Sequence, residues 1–446
     1  MTAETTEPRA RRSTSGLPPQ PADRSVHPGQ GAPAGLGRPL APRSADTTPP
    51  DPAAAETVPP GTARPSAGGP SLAAGLPLLI TAVFAMNAGM GMQSATYTNF
   101  AVDLLHINAA QLGAVEAIRE SSGVLCFLVA ALAARMALPL LAGAALCLMG
   151  IGMIALGHAH SIPWLAAASF AWGLGFHTFS PINPSLSMQM ATDHAQRAGL
   201  LGKLSGVGAL AGPVGTLAVL ALLPLLGLRG EFLPAGLLCV AAGLAMFFVR
   251  NPRPGPRPRL VLRRAYLPYY LLTLADGGRK QVLITFVVFA VVSVYHASVV
   301  TVSLLLLSSS LLCMLASPYV GRWIATYGER RVVVLSSLLL VPLFAGYGLT
   351  SSETVMIALY LVDNTLFTAN VALTTWVGRH APPEEVAPTL AVGTTVNHIS
   401  SVIVPLAAGF LWQAYGYRDI FFGGAGIALI TLLLALRVLP AVEAAA

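Results

Sequence analysis

From Leu72 to Leu439 the chain alternates long apolar runs with short polar breaks. The runs recur at the length that crosses a bilayer core, about twenty residues of helix. They span 73–97, 111–134, 138–157, 163–189, 200–226, 232–249, 266–290, 298–318, 331–350, 354–377, 389–412 and 419–439. The pattern predicts an all-α membrane protein with twelve transmembrane helices. The longest polar interval, RNPRPGPRPRLVLRR at 250–264, follows the sixth run, holds six arginines and no acid, and is kept extended by its prolines. It divides the chain into an N-terminal six-helix bundle over 71–249 and a C-terminal one over 266–440. Residues 250–265 form the expected basic cytoplasmic linker, and 441–446 a short tail.

Residues 1–70 lack any apolar period and are rich in Pro, Ala, Gly, Thr and Arg. Too little apolar surface is present to offset the entropy of ordering, which predicts a disordered cytoplasmic tail. The pair Arg11-Arg12 is no export signal, because no apolar stretch follows it promptly; the first run acts as an uncleaved start-transfer helix.

Composition agrees with the pattern: 54% of residues are hydrophobic and 10% charged, against roughly 25% charged in a soluble domain. The net charge of +7 comes from clusters between apolar runs, not from a basic face with stacking aromatics, so it reports topology and not nucleic acid. One set of alternate connections carries Arg135, Arg197, Lys203, the six linker arginines, Arg322, Arg330, Arg331 and Arg379; the other carries Arg229 and Arg418. The positive-inside bias puts both termini in the cytoplasm. Cys126, Cys147, Cys239 and Cys313 all lie in apolar runs without close spacing, so they imply neither a disulfide framework nor a metal site.

The chemistry sits where polar residues interrupt the apolar runs. In LADGGRKQVLITF, residues 274–286, three charges fall within five positions, although each charge at a bilayer centre costs roughly 2.5–3.5 kcal/mol on the insertion scale. Residues three and four apart share a helix face, so Asp276 lies beside Arg279 and Lys280. The second helix repeats the device with Glu116, Arg119 and Glu120, and Gly123 continues its stripe. Cations that carry their own acids are cheaper to bury. His177 and Asp363 lie mid-span in the fourth and tenth helices, Asn397-His398 in the eleventh, and Asn87 and Gln93 in the first. His158, His160 and His296 lie at loop edges.

The halves also resemble each other: sliding one so that Asn87 falls on Asp276 lays Gly89 on Gly278 and AGLLGKLSGVG over APTLAVGTTVN. Parallel repeats of this kind occur in transporters whose site lies where the halves meet. Over about residues 72–440 the chain resembles the major facilitator superfamily of secondary transporters. GRWIATYGERR, 321–331, is similar to its cytoplasmic loop motif, with Gly321, Gly328, Arg330 and Arg331 matching and Ala325 replacing the usual acid. GVGALAGPVG, 206–215, is similar to the Gly-Pro motif of its proton-antiporting exporters, with Gly208, Gly212 and Pro213 in place and Thr216 where glycine is usual. EAIRESSG, GLGFHTFSP, GGRKQ, YLVDN and PTLAVGTTVNH resemble a bacterial branch whose substrates are mostly unassigned.

The resemblance implies two six-helix bundles rocking about one central water-filled chamber, in a protein of the bacterial inner membrane that works as a monomer. It implies a small-molecule substrate, protons and lipid as partners, and neither cofactor, metal nor nucleic acid. Arg119, Arg279, Lys280, Asn87, Gln93, His177 and Asn397 are the expected substrate ligands, since Arg offers a rigid fork to an anion. Glu120, Asp276, Asp363, Glu116 and His398 are the expected proton carriers, because a desolvated carboxyl group can hold a proton near neutrality. Gly208, Gly212, Pro213, Gly321, Gly328, Arg330 and Arg331 are assigned to gating and packing. Trp172, Phe176, Phe179, Tyr360 and Trp376 line the chamber or pack, and Pro181 and Pro184 are expected to break the fourth helix. The expected function is proton-coupled secondary transport with export favoured. Its rivals are a proton-symport importer of an organic anion and a transport-inactive receptor on the same scaffold. No nucleophile, paired-cysteine or phosphate-loop motif marks an enzyme.

Overall fold

The computed structural model describes residues 71–191, 194–249 and 261–439. The expected N-terminal tail, linker residues 250–260 and the C-terminal tail lie outside the described residues. Every predicted run is a helix: α1 (Ser71–Asn99), α2 (Ala109–Val124), α3 (Leu138–Gly157), α4 (Ile162–Met190), α5 (His194–Gly230), α6 (Phe232–Met246), α7 (Leu267–Gln281), α8 (Val299–Tyr327), α9 (Glu329–Leu349), α10 (Glu353–Phe367), α11 (Pro383–Tyr415) and α12 (Tyr417–Val438). Four runs continue past a break. A π turn, Phe100–Leu104, extends α1; Cys126–Ala133 follows α2; Val282–Val287, a π turn, and Val288–Ser293 follow α7; Thr368–Asn370 and Val371–His380 follow α10.

Local chemistry sets the ends. Asn108 and Gln111 form a reciprocal capping box at the start of α2, and Ser161 and Ser298 cap α4 and α8. Gly328 and Gly416 take positive φ, 80° and 100°, between successive antiparallel helices. Helix α11 starts earlier than the hydropathy run because Pro383 at its first turn, with Glu384 and Glu385, suits a helix N-terminus. The expected break at Pro181 and Pro184 is not there: α4 runs through both. Each proline removes one backbone bond, whereas ending the helix inside a bilayer would strand several unpaired groups.

Among the described residues, eight helical segments are long and apolar enough to span a membrane. The exceptions, besides the short apolar α6, are the runs of α2, α4 and α7, which carry the polar stretches. Within the N-terminal half, small residues bring backbones together as membrane helices require. A Cβ on Gly215 would lie 2.0 Å from the Ala88 carbonyl oxygen, and one on Gly91 2.1 Å from that of Gly212. Thr216, in the position where glycine was expected, donates to the Gly91 and Gly212 carbonyls. Helices α3 and α6 touch through Gly150 and Gly236 in the same way.

Between the halves, α2 packs on α11 and α5 on α8. A Cβ on Gly113 would meet the Pro405 carbonyl at 2.2 Å, and Asn99 donates to the Ala297 carbonyl at 2.9 Å. These contacts lie toward the end that carries the α1–α2 and α7–α8 connections. Toward the other end, Gly199, Gly202 and Gly206 on α5 have nothing within 4 Å of an added Cβ. The contacts between the halves at Gly113 and Asn99 thus lie toward one end.

Glu231, between α5 and α6, is buried, and neither carboxylate oxygen has a hydrogen-bond partner. Burial pushes its carboxyl up from 4.5 to about 7. An acid whose folded value is raised contributes a penalty that grows as pH climbs from about 4.5 to about 7 and is constant above that window. Thermal unfolding in detergent should therefore show wild-type stability declining across that window, and Glu231→Gln should flatten the decline. Gly215→Ala should destabilise by about 1–3 kcal/mol through overpacking against Ala88. Gly212→Ala, whose Cβ comes no nearer than 4.0 Å to the Asn87 carbonyl, should stay within about 0.5 kcal/mol. Equal losses in the two glycine variants would contradict the assigned α1–α5 contact.

Candidate functional site

The polar stretches assemble two ion clusters and one cavity. The first cluster is built on α2. One helical turn places Glu116 and Glu120 on either side of Arg119, which hydrogen-bonds Glu116 and lies 2.8 Å from Glu120 Oε1. Gly173 on α4 leaves the room: a Cβ there would come within 3.0 Å of the Arg119 side chain. Trp172 covers the guanidinium, whose central carbon is 5.2 Å from the ring centroid.

Glu120 presents its other oxygen to the opposite half, where His398 Nδ1 of α11 lies 3.1 Å away. The His398 ring stands edge-on to His177 of α4 with centroids 4.4 Å apart. Gly123 permits this approach, since its Cβ would lie 2.5 Å from His398 Nδ1. Glu120, His177 and His398 are all buried. Lys280 on α7 is half-buried, makes no ion pair with a described residue, and is near enough for its charge to act on Glu120 and His177.

The second cluster lies inside the C-terminal half. Arg279 is 2% exposed and bridges Asp276 Oδ1 at 2.9 Å and Asp363 Oδ1 at 3.0 Å. Asn370 donates to the second oxygen of Asp276 at 2.7 Å, and Tyr347 to that of Asp363 at 3.4 Å. The two acids thus tie α7 to α10 and α9. Neither Asn370 nor Tyr347 stood out in the sequence, although Asn370, seven residues beyond Asp363, falls on the same helical face.

The expected single chamber is thus divided. Arg119, Glu116, Glu120, His177 and His398 come together across the halves, with Lys280 beside them; Asp276, Arg279 and Asp363 form a separate network. Asn87 lines a cavity of about 320 Å³ between α1, α4 and α5. Gln93 is buried away from both clusters' ion pairs, and Asn397 donates to the Thr273 carbonyl at 3.3 Å, fastening α11 to α7. Phe176 stacks edge-on between Trp172 and His177, Phe179 and Tyr360 are core residues, and Trp376 stacks on His380.

At the α8–α9 turn, Gly328 supplies the left-handed backbone and Arg330 donates to the Leu436 carbonyl. A Cβ on Gly321 meets nothing within 4 Å. Position 325 carries no acid, and Glu329, four residues on, pairs with Arg379 at 3.0 Å. Nearby, Glu385 accepts from Arg263 and from Tyr266 Oη, joining the end of the linker to α11.

Among the described residues, Glu120, His177 and His398 form the one set of donors that could hold a metal ion, with ligand atoms within 4.8 Å of one another. Zinc ligands at about 2.0–2.2 Å from the ion stand no more than about 4.4 Å apart. Arg119 on Glu120 and Lys280 close by also oppose a divalent cation.

The Major Facilitator Superfamily model matches residues 269–446. No curated protein matches the chain. Among solved structures, a point mutant of the nucleoside transporter NupG aligns with a TM-score of 0.69 and 12% identity over 82% of this chain and 100% of its own. A bacterial homologue of the human lysosomal transporter Spinster, inward-facing and occupied, gives 0.68 and 14% over 83% and 97%. A POT family transporter in complex with a thioalcohol-conjugated peptide gives 0.68 and 12% over 81% and 95%. The family model thus matches the C-terminal part of the chain, and both halves share the fold of these transporters.

Proposed function

We propose that the chain is a proton-coupled secondary transporter of the bacterial inner membrane, moving a small molecule by alternating access with export as its direction. The moving bodies are residues 71–249 and 266–440, joined by the basic stretch 250–265, in a monomer with both termini cytoplasmic. The asymmetry of Lys and Arg between alternate connections supports that orientation. On it, the contacts between the halves at Gly113 and Asn99 lie on the side away from the cytoplasm. The partial Gly-Pro motif of α5 supports export.

The observation that carries the reading is the buried Glu120–His398 contact, which crosses between the halves. A proton shared there gives a charge-assisted hydrogen bond that holds α2 to α11. Without it the bond weakens, and Glu120 keeps only Arg119 when the halves separate. Proton occupancy therefore has a different energy in the two states, which is the condition for it to bias them. Across both clusters the carboxyl groups of Glu116, Glu120, Asp276 and Asp363 face Arg119 and Arg279, with His177, His398 and Lys280 beside Glu120.

Arg279 has a different role in this account. Its guanidinium is enclosed and held by two acids, which makes it a strut of the C-terminal half and not a substrate ligand. Arg279→Ala should destabilise the protein by about 3–5 kcal/mol, the cost of leaving a buried charge unpaired, measured as loss of folded protein in detergent.

In proteoliposomes, substrate movement should follow an imposed pH gradient. Glu120→Gln should fold normally, lose gradient-driven movement and retain exchange of labelled for unlabelled substrate. Wild-type movement indifferent to the gradient, or a fully driven Glu120→Gln, would contradict proton coupling at this pair.

A further inference from the structure

Where α9 begins and α12 finishes, the C-terminal half carries arginines that no acid answers. Arg330 spans the two helices: one terminal guanidinium nitrogen donates to the Leu436 carbonyl at 3.0 Å, while its Nε is buried without a hydrogen-bond partner. Arg331, the next residue of α9, and Arg437, which follows Leu436 on α12, are both exposed and pair with no acid among the described residues. Glu329, the acid nearest in the chain, is taken by Arg379. Three guanidinium groups thus gather within one residue of a single interhelical contact. Like charges held so close repel, and an anion from outside the chain relieves that repulsion.

Beneath this basic end both helices turn apolar side chains outward. On α9, Leu335 and Leu338 are exposed and follow Arg331 by four and seven positions; on α12, Leu433 and Ile430 are exposed and precede Arg437 by four and seven. Each arginine therefore ends an apolar stripe on its own helix. The stripes lie side by side because the helices are pressed together: a Cβ on Gly348 would come within 2.9 Å of the Phe422 ring, and one on Gly424 within 2.4 Å of the Phe344 ring. Both helices are long and apolar enough to cross a membrane, so their outward leucines suit acyl chains.

A ligand that matches both features carries a phosphate directly above acyl chains. Guanidinium groups present forked donors to phosphate oxygens, and basic sites between helices at the cytoplasmic surface hold anionic headgroups. We infer that this end of α9 and α12 is a binding site for an anionic phospholipid, with Arg330, Arg331 and Arg437 on its phosphate and its acyl chains along the two stripes. On the orientation proposed above, the lipid belongs to the cytoplasmic leaflet. A choline headgroup would bring a further cation to the same three arginines, which disfavours a zwitterionic lipid. Binding here requires neither proton coupling nor transport.

The test is native mass spectrometry of the full chain in detergent, with equal amounts of phosphatidylglycerol and phosphatidylcholine bearing the same acyl chains. Phosphatidylglycerol adducts should predominate. Their affinity should fall about tenfold or more in the double variant Arg331→Gln/Arg437→Gln, whose exposed side chains can be changed without loss of folded protein on size exclusion. The control is Arg135→Gln/Arg197→Gln, which removes two exposed arginines of the same set of connections and should leave the affinity unchanged. A tenfold excess of inorganic phosphate should not displace the lipid. Equal adducts of the two lipids, an equal loss in the control, or no loss in Arg331→Gln/Arg437→Gln would overturn the inference. Displacement by inorganic phosphate would show a site for the headgroup charge alone and overturn the part assigned to the stripes.

Discussion

An ionised side chain inside a bilayer must bring its counter-charge with it. That constraint shapes this protein more than any other. Arg119 is flanked on its own helix by Glu116 and Glu120, and Arg279 by Asp276, so each cation carries an acid one turn away before any tertiary contact forms. The remaining acid is then free to reach another element. In the second cluster Asp363 takes this part within the C-terminal half, and the outcome is a strut. In the first, Glu120 reaches His398 in the other half, and the outcome is a contact across the halves. The same local device thus ties helices within one half in one place and links the two halves in the other, and the difference lies only in whether the partner belongs to the same bundle.

Close backbone approach is the second requirement, and small residues meet it. Gly123 lets His398 reach Glu120, Gly173 makes room for Arg119, and Gly113 with Gly409 lets α2 and α11 touch near one end of the bundle. On α5 the pattern reverses, because Gly199, Gly202 and Gly206 face open space while Gly215 is pressed on α1. One helix therefore carries both a tight seam within its half and a bare flank.

Much of this was legible in the sequence. The apolar runs at membrane length give the helices, and the three-residue spacing gives the Glu116–Arg119 and Asp276–Arg279 pairs, because both are local properties of a helix, whereas Asp276 and Lys280, four apart, form no ion pair. The cross-element partners were not legible, since nothing in the neighbourhood of Asp363 says that it meets Arg279, or that Tyr347 completes the network. The division of one expected chamber into two clusters and a cavity depends on how α7 is rotated about its axis, which hydropathy does not encode. Pro181 and Pro184 misled for a related reason: a local propensity to break the helix is overridden by the cost of unpaired backbone in hydrocarbon. Glu329 was hidden because the loop motif draws the eye to position 325, where its acid is missing, and not four residues on.

The proposed coupling of a proton to movement of the halves depends on the Glu120–His398 pair. The direct measurement is a pulsed electron–electron distance between spin labels at Gly202 on α5 and Gly321 on α8, two positions where an added side chain meets nothing within 4 Å, taken across the titration range of histidine. The distance distribution should shift between two populations with pH in the wild type and lose that shift in Glu120→Gln. A distribution that ignores pH in the wild type, or that shifts equally in Glu120→Gln, would contradict that role.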